Sequence, residues 1–183
     1  KPQNMMVAKV YKNCDKILIG SKGFEKSICE KGDFKDKLVY FPNWAETVIS
    51  PQDFSVDAIV PFDNPNNFIL LFAGNLGEAQ NLDAIIKSAE RIKDNKNIKY
   101  VFVGDGRRKE HLEMLVNEKK LNDTVYFLGR YPIETMPIFM KKSSVLLFSL
   151  KDELCFNLTV PSKVQFYMAQ GKPIFAMLNG DGA

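Results

Sequence analysis

The chain has 183 residues, 45% of them hydrophobic and 26% charged, with a formal net charge of +3. That length can bury one full core and part of a second, and lysines scattered along the chain without a basic, aromatic-interleaved stripe exclude nucleic acid as the main partner. No apolar run is long enough to span a membrane, there is no signal-like start, and Cys14, Cys29 and Cys155 form no Cys-x-x-Cys pair; a cytoplasmic, reducing setting is expected.

Lys1 to Lys12 opens without a cap, as the inside of a helix belonging to something larger. Lys16 to Gly20 has the apolar run of a short buried strand, and Ser21 to Lys31 the pattern of a helix capped by Ser21. Lys37 to Phe41 is a second strand, closed by Pro42-Asn43-Trp44. Ala45 to Asn67 has no sustained period and carries Pro51, Pro61 and Pro65, which is linker chemistry. The expected domains are therefore 1–46 as the end of one domain, 47–66 as a linker and 67–183 as a second domain.

From Asn67 onward the pattern is regular. Apolar strands at Phe68 to Ala73, Lys99 to Val103, Val125 to Leu128, Ser144 to Ser149 and Pro173 to Met177 alternate with helices. Leu82, Ile85, Ile86, Ala89 and Ile92 mark the first helix; Leu112, Leu115 and Val116 the second; Met136, Phe139 and Met140 a third, with Pro137 in its first turn. Fully apolar strands alternating with helices predict an α/β fold, a doubly wound parallel sheet covered on both faces. Such a domain backs its last strand with a helix, and Asn179 to Ala183 is a loop, so trimming at both ends is expected.

The last helix carries the least ordinary choice. Pro161-Ser162 starts it, with Ser162 able to cap, and Gly171 with Pro173 stops it. Lys163 sits at the positive end of the helix dipole, where an acid is favoured. A cation there makes sense with an anion between it and the free amides, phosphate being the usual one; the other reading of this residue is a solvated lysine at a cost of about a few tenths of a kcal/mol.

In an open parallel sheet, ligands bind beyond the carboxyl ends of the strands. Four loops occupy that edge: Gly74 to Asn81, with Asn75, Gly77 and Gln80; Gly104-Asp105-Gly106-Arg107-Arg108; Gly129-Arg130-Tyr131-Pro132; and Leu150 to Ser162. Small residues after the strands, with Arg130 able to fork onto phosphate, suggest a shared anion-accepting crevice. A nicotinamide site is disfavoured, because neither Gly74 to Gln80 nor Gly104-x-Gly106 completes Gly-x-Gly-x-x-Gly. Gly171-Lys172-Pro173 closes a helix and lacks the serine or threonine of a phosphate-binding loop. His111 is the single histidine, which excludes a His-based metal site or a Ser-His machine within this chain; among charged residues it is expected on the surface.

The order Gly74-Asn75-Leu76-Gly77, Gln80-Asn81, Gly104-Asp105-Gly106, Leu128-Gly129, Pro161-Ser162-Lys163 and Gly171-Lys172-Pro173-Ile174 resembles the C-terminal, donor-binding half of GT-B glycosyltransferases of the GT4 group. The resemblance is closest to the bacterial branch that builds O-antigen and capsular polysaccharides. It covers Phe68 to Ala183, and more loosely Asp15 to Glu46, where Ser21-Lys22-Gly23-Phe24 and Pro42-Asn43-Trp44 look like the end of the acceptor-side domain.

The resemblance implies transfer of a sugar from a nucleotide sugar, usually UDP-linked, with retention and without metal or other cofactor. It implies a saccharide or lipid-linked acceptor, peripheral membrane association of the full-length enzyme, and catalytic groups partly outside this chain, so that the isolated chain is inactive. By the family's motifs, Gly74, Asn75, Gly77, Gln80, Arg130, Thr159, Ser162 and Lys163 would face the diphosphate and sugar, while Gly104, Gly106, Gly129 and Tyr131 would border the nucleoside. Two departures stand out. Asn75 and Gln80 occupy positions where many relatives have arginine and lysine, and Leu158 and Phe166 occupy those of two glutamates, one of which binds ribose. Two alternatives follow: a GT-B-like domain that binds nucleotide or protein without catalysis, favoured by the missing glutamates, and a nucleotide-sugar 2-epimerase, disfavoured by the scarcity of histidines and acids in the crevice.

Overall fold

The computed structural model describes residues 2–45, 47 and 51–180, the side chains of 2–4 excepted. The chain divides into two compact units, Lys1–Ala45 with Asp152–Gln165 and Leu178–Ala183, and Glu46–Lys151 with Phe166–Met177.

In the first unit, helix α1 (Pro2–Asn13) precedes strand β1 (Ile17–Ile19), helix α2 (Phe24–Cys29) and strand β2 (Leu38–Tyr40). The two strands pair in parallel, Ile17 opposite Leu38. Ile17, Ile19, Ile28 and Phe34 form a small core, with the Tyr11 ring edge-on to Phe34 at 5.6 Å. Lys37 donates to the carbonyls of Tyr11, Lys12 and Cys14 at 3.3, 2.9 and 2.7 Å. It thereby places a cation at the carboxyl end of α1, where the helix dipole favours one. Ser21 does not cap α2: its Oγ accepts from Gly23 N at 3.2 Å, and the helix starts two residues later than Ser21 would allow. A serine offering its oxygen to the amide two residues on makes a turn in place of a helix start.

The second unit holds a five-stranded sheet in the order β5-β4-β3-β6-β7, every pair parallel. Its strands are β3 (Phe68–Ala73), β4 (Ile98–Val103), β5 (Val125–Gly129), β6 (Val145–Ser149) and β7 (Ile174–Met177). Between them lie α3 (Leu82–Arg91), α4 (Lys109–Glu118) and α5 (Met136–Lys142); of the two helices between β6 and β7 in sequence, the short α6 (Leu154–Asn157) belongs to the first unit, and α7 (Ser162–Ala169) begins in the first and continues into the second. This is the doubly wound α/β architecture that the apolar runs predict, with the strand order reversing between β3 and β6.

Leu82, Ile85, Ile86 and Ala89 bury one stripe of α3, and Leu112 and Val116 one stripe of α4, against Phe72, Phe102 and Leu147 of the sheet. Each buried Leu or Ile contributes roughly 1.5–3 kcal/mol relative to exposure. The segment expected as a linker carries packed side chains: Val56 and Phe62 are buried, and the rings of Phe54 and Phe62 lie 5.7 and 5.6 Å from that of Phe139 on α5. Prolines removed the periodicity by which packing is recognised, while the apolar side chains still bury. Residues 150–162, expected as one loop, include α6.

Candidate functional site

The carboxyl edge of the sheet gathers three of the four expected loops, and backbone contacts join them. Gly74 N donates to Val103 O at 2.8 Å, Leu76 N to Asp105 O at 2.8 Å, Arg108 N to Leu76 O at 3.0 Å and Gly104 N to Gly129 O at 2.7 Å. The glycines of the first two loops serve this mutual approach. A Cβ on Gly104 would lie 1.9 Å from Gly74 O, and one on Gly106 would lie 2.5 Å from Leu76 O. Gly77 is crowded by the Asn75 side chain, and its N–H donates to Gln80 Oε1 at 3.2 Å. The amides of Gly74, Leu76 and Gly77 are thus engaged inside the loop pair. Asn75 remains exposed.

The third loop differs. Gly129 has φ 78° and nothing within 4 Å of a Cβ position. It follows a register shift between β4 and β5, where Val103 pairs with Gly129 and Leu128 is passed over. Arg130 is exposed, with no carboxylate in ion-pair distance among the described residues. The Tyr131 ring, expected beside a nucleoside, packs 4.8 Å from Phe139 and 6.0 Å from Phe54.

Sequence reasoning missed an ionic chain that runs across the same edge. Arg108 Nη2 bonds both carboxylate oxygens of Asp83 at 2.8 and 2.7 Å, and its Nη1 lies 3.4 Å from Glu78. Lys151 reaches Glu78 at 3.3 Å, and His111 Nε2 lies 2.9 Å from Asp83 Oδ1. His111 is exposed, as expected, yet is part of this chain. Partial burial works to raise the Asp83 carboxyl, but the bond from His111 and the charge of Arg108 outweigh it and hold the group below its ordinary value. The Lys151 bond holds Glu78 low in the same way. These partners lie 25 and 30 residues apart or more in sequence, so no local spacing rule could have found them.

Two hydroxyls mark the reversal point of the sheet. Tyr167 is fully buried, accepts from Ala73 N at 2.9 Å and donates to Ala73 O at 3.2 Å. Burial pushes its phenol well up, more than the Ala73 bond pulls it down. Ser149, at the end of β6, is buried and its Oγ has no hydrogen-bond partner among the described residues. Neither residue stood out in an apolar run.

Thr159, Ser162 and Lys163 belong to the first unit. Thr159 Oγ1 donates to Cys155 O at 2.6 Å, which ties it to α6. Ser162 is the first residue of α7, one position inside the expected cap. Desolvation lowers the Lys163 ammonium to a pKa of about 8. Among the described residues no group of three His, Cys, Asp or Glu side chains could hold a metal ion, and no helix is long and apolar enough to cross a membrane.

Residues 58–180 match the family model described as glycosyl transferases group 1. The chain belongs to this family. It is 30% identical over 164 residues to WcaI of Escherichia coli (strain K12), named for a glycosyl transferase role in colanic acid biosynthesis; the match covers 87% of this chain and 39% of WcaI. It is 27% identical over 172 residues to WbjE of Pseudomonas aeruginosa, named as a glycosyltransferase, covering 92% of this chain and 42% of WbjE. The chain therefore spans less than half the length of these curated relatives. Among solved structures, Anabaena Alr3699/HepE in complex with UDP-glucose matches with a TM-score of 0.74 at 14% identity, over 100% of this chain and 51% of that one. The pneumococcal O-GlcNAc transferase GtfA in complex with UDP and GlcNAc matches at 0.71 and 12% identity, over 99% of this chain and 34% of that one. At such identities the likeness shows the fold, which is that of GT-B glycosyltransferases.

Proposed function

We propose that this chain is the donor-binding half of a retaining, metal-independent glycosyltransferase. It binds a nucleotide-diphosphate sugar, UDP-linked, for hexosyl or N-acetylhexosaminyl transfer to a saccharide or lipid-linked acceptor in O-antigen, capsule or related surface polysaccharide synthesis. The setting is cytoplasmic, at the inner face of the membrane through peripheral association.

The observation that carries this reading is the family match to residues 58–180, and the sheet edge supports it. Exposed Arg130 beside the open Gly129 offers a cation for diphosphate. Burial works against the charged form of Lys163 at the start of α7, and an anion bound beside it would favour that form. The solved UDP complexes of matching fold add to the choice of nucleotide. The engaged amides of Gly74, Leu76 and Gly77 shift the diphosphate contact in this chain toward side chains.

Calorimetric titration with UDP tests the proposal. Binding at or tighter than about 1 mM, roughly 4 kcal/mol, weakened by Arg130→Ala and by Lys163→Ala, is the expected result. No heat at that concentration, with both variants indistinguishable from wild type, would sink it. A second reading rests on Leu158 and Phe166, which leave no carboxylate at the two positions where the family resemblance calls for glutamate. In that reading the domain binds nucleotide or a protein partner without transfer. Turnover of a nucleotide-sugar panel by the full-length protein separates the two.

A further inference from the structure

In a parallel strand the N–H and C=O of one residue face the same neighbour, and successive residues face alternate neighbours. Along β3, Phe68 N donates to Asn97 O and Gly74 N to Val103 O, both on the β4 side. Ile69 faces the other side: its N–H donates to Ser144 Oγ at 3.1 Å and its carbonyl accepts from Ser144 N at 2.9 Å. Ala73, four residues on, faces that side too. By then β6 has diverged, since β3 and β6 pair at Leu70 with Val145 and at Leu71 with Leu146 and no further. Ala73 is buried, so both its polar groups would be orphaned at a large cost.

One hydroxyl satisfies both. Tyr167 Oη accepts from Ala73 N and donates to Ala73 O, taking the place of the absent strand residue across 94 positions of sequence. The next residue, Gly74, turns the chain at φ 140° into the loop expected to face the donor. On its far side that loop is moored to the Gly104–Arg108 turn through Leu76. On its near side the bond at Ala73 is the tie to α7.

We propose that the Tyr167 hydroxyl is a positioning group: it fixes the carboxyl end of β3 and thereby the take-off of the Gly74 to Gln80 loop for donor binding. This rests on the donor-site reading given above. A side chain that merely filled the core would need its ring and not its oxygen, so the oxygen is the part to remove.

The test compares Tyr167→Phe with Ser144→Ala, which removes the equivalent side-chain bond at the other end of the same β3 edge. Both are studied at a temperature where each is fully folded, by UDP calorimetry and by amide hydrogen exchange. For Tyr167→Phe we expect UDP affinity to fall about tenfold, in line with loss of a buried hydrogen bond, and exchange to quicken from Ala73 to Gln80 while α4 and β5 are unchanged. Ser144→Ala is expected to keep wild-type affinity. Unchanged affinity in Tyr167→Phe, or faster exchange spread evenly over the sheet, would overturn the proposal. If wild type itself gives no UDP heat, the donor reading fails, and the confined or spread exchange pattern still decides whether Tyr167 fixes the loop. Should Tyr167→Phe not fold, p-aminophenylalanine at the same position keeps a donor for Ala73 O and weakens the acceptor for Ala73 N; the same exchange pattern, smaller in extent, is then expected.

Discussion

Gly104 and Gly129 each follow a strand of the same sheet, and each has a left-handed φ, 144° and 78°. The space around them is opposite. A methyl on Gly104 would strike the Gly74 carbonyl at 1.9 Å, whereas one on Gly129 meets nothing within 4 Å. Glycine after a strand thus has two causes in one molecule: at Gly104 two backbones must touch, and at Gly129 the backbone angle alone requires it. The open loop leaves Arg130 exposed; the closed pair sets the edge on which that loop stands.

The largest effect should come from breaking the closed pair. Gly104→Ala sets a Cβ against backbone that cannot swing away and adds backbone strain, so a loss of about 4 kcal/mol or more is expected, measured as the shift of the urea midpoint. A shift under about 1 kcal/mol would mean that the two loops can separate, and the contrast with Gly129 would collapse. Gly106→Ala isolates crowding from backbone angle, because Gly106 has no left-handed φ while its Cβ would lie 2.5 Å from Leu76 O. Overpacking of that kind typically costs about 1–3 kcal/mol, and chemical denaturation should place it between the other two variants. Gly129→Ala should cost only the left-handed penalty of about 1–2 kcal/mol, read from the same urea midpoints.

How far the sequence carried these distinctions depends on their range. Strand and helix order was legible because apolar runs such as Phe68 to Ala73 and stripes such as Leu82, Ile85, Ile86 and Ala89 are local signals of burial. The expectation of a site at the carboxyl edge followed from parallel connectivity. What was hidden depended on distant partners. Gly104 looks the same in sequence whether it meets a phosphate or the Gly74 carbonyl, and Tyr167 looks like any aromatic in a helix until Ala73 is placed against it. The 51–66 segment hid its burial behind prolines, although Val56 and Phe62 are as apolar as any core residue. Of the two amide side chains expected at the ligand, Asn75 is exposed while Gln80 accepts the Gly77 amide.

The smallest effect concerns the ionic chain that braces the closed pair from outside. Arg108→Met keeps most of the apolar stem while removing the fork onto Asp83 and the contact with Glu78. Asp83 is partly solvated and Glu78 is exposed, so the loss rests on the Asp83 fork, about 1 kcal/mol at neutral pH and shrinking as salt is added. The pH dependence gives the sharper test. The Asp83 carboxyl is held below its ordinary value in the folded chain. Its contribution is therefore present above the unfolded carboxylate pKa of about 3.9 and is lost as pH falls through the lower folded value. Without Arg108 that lowering is reduced, leaving the bond from His111 and a backbone hydrogen bond as the favourable contacts. Urea midpoints taken from pH 7 downward should then converge for wild type and Arg108→Met at the acid end. If the gap between them stayed constant into acid, the guanidinium would be acting through its packing and not through Asp83. The closed loop pair would then owe its order to backbone contacts alone.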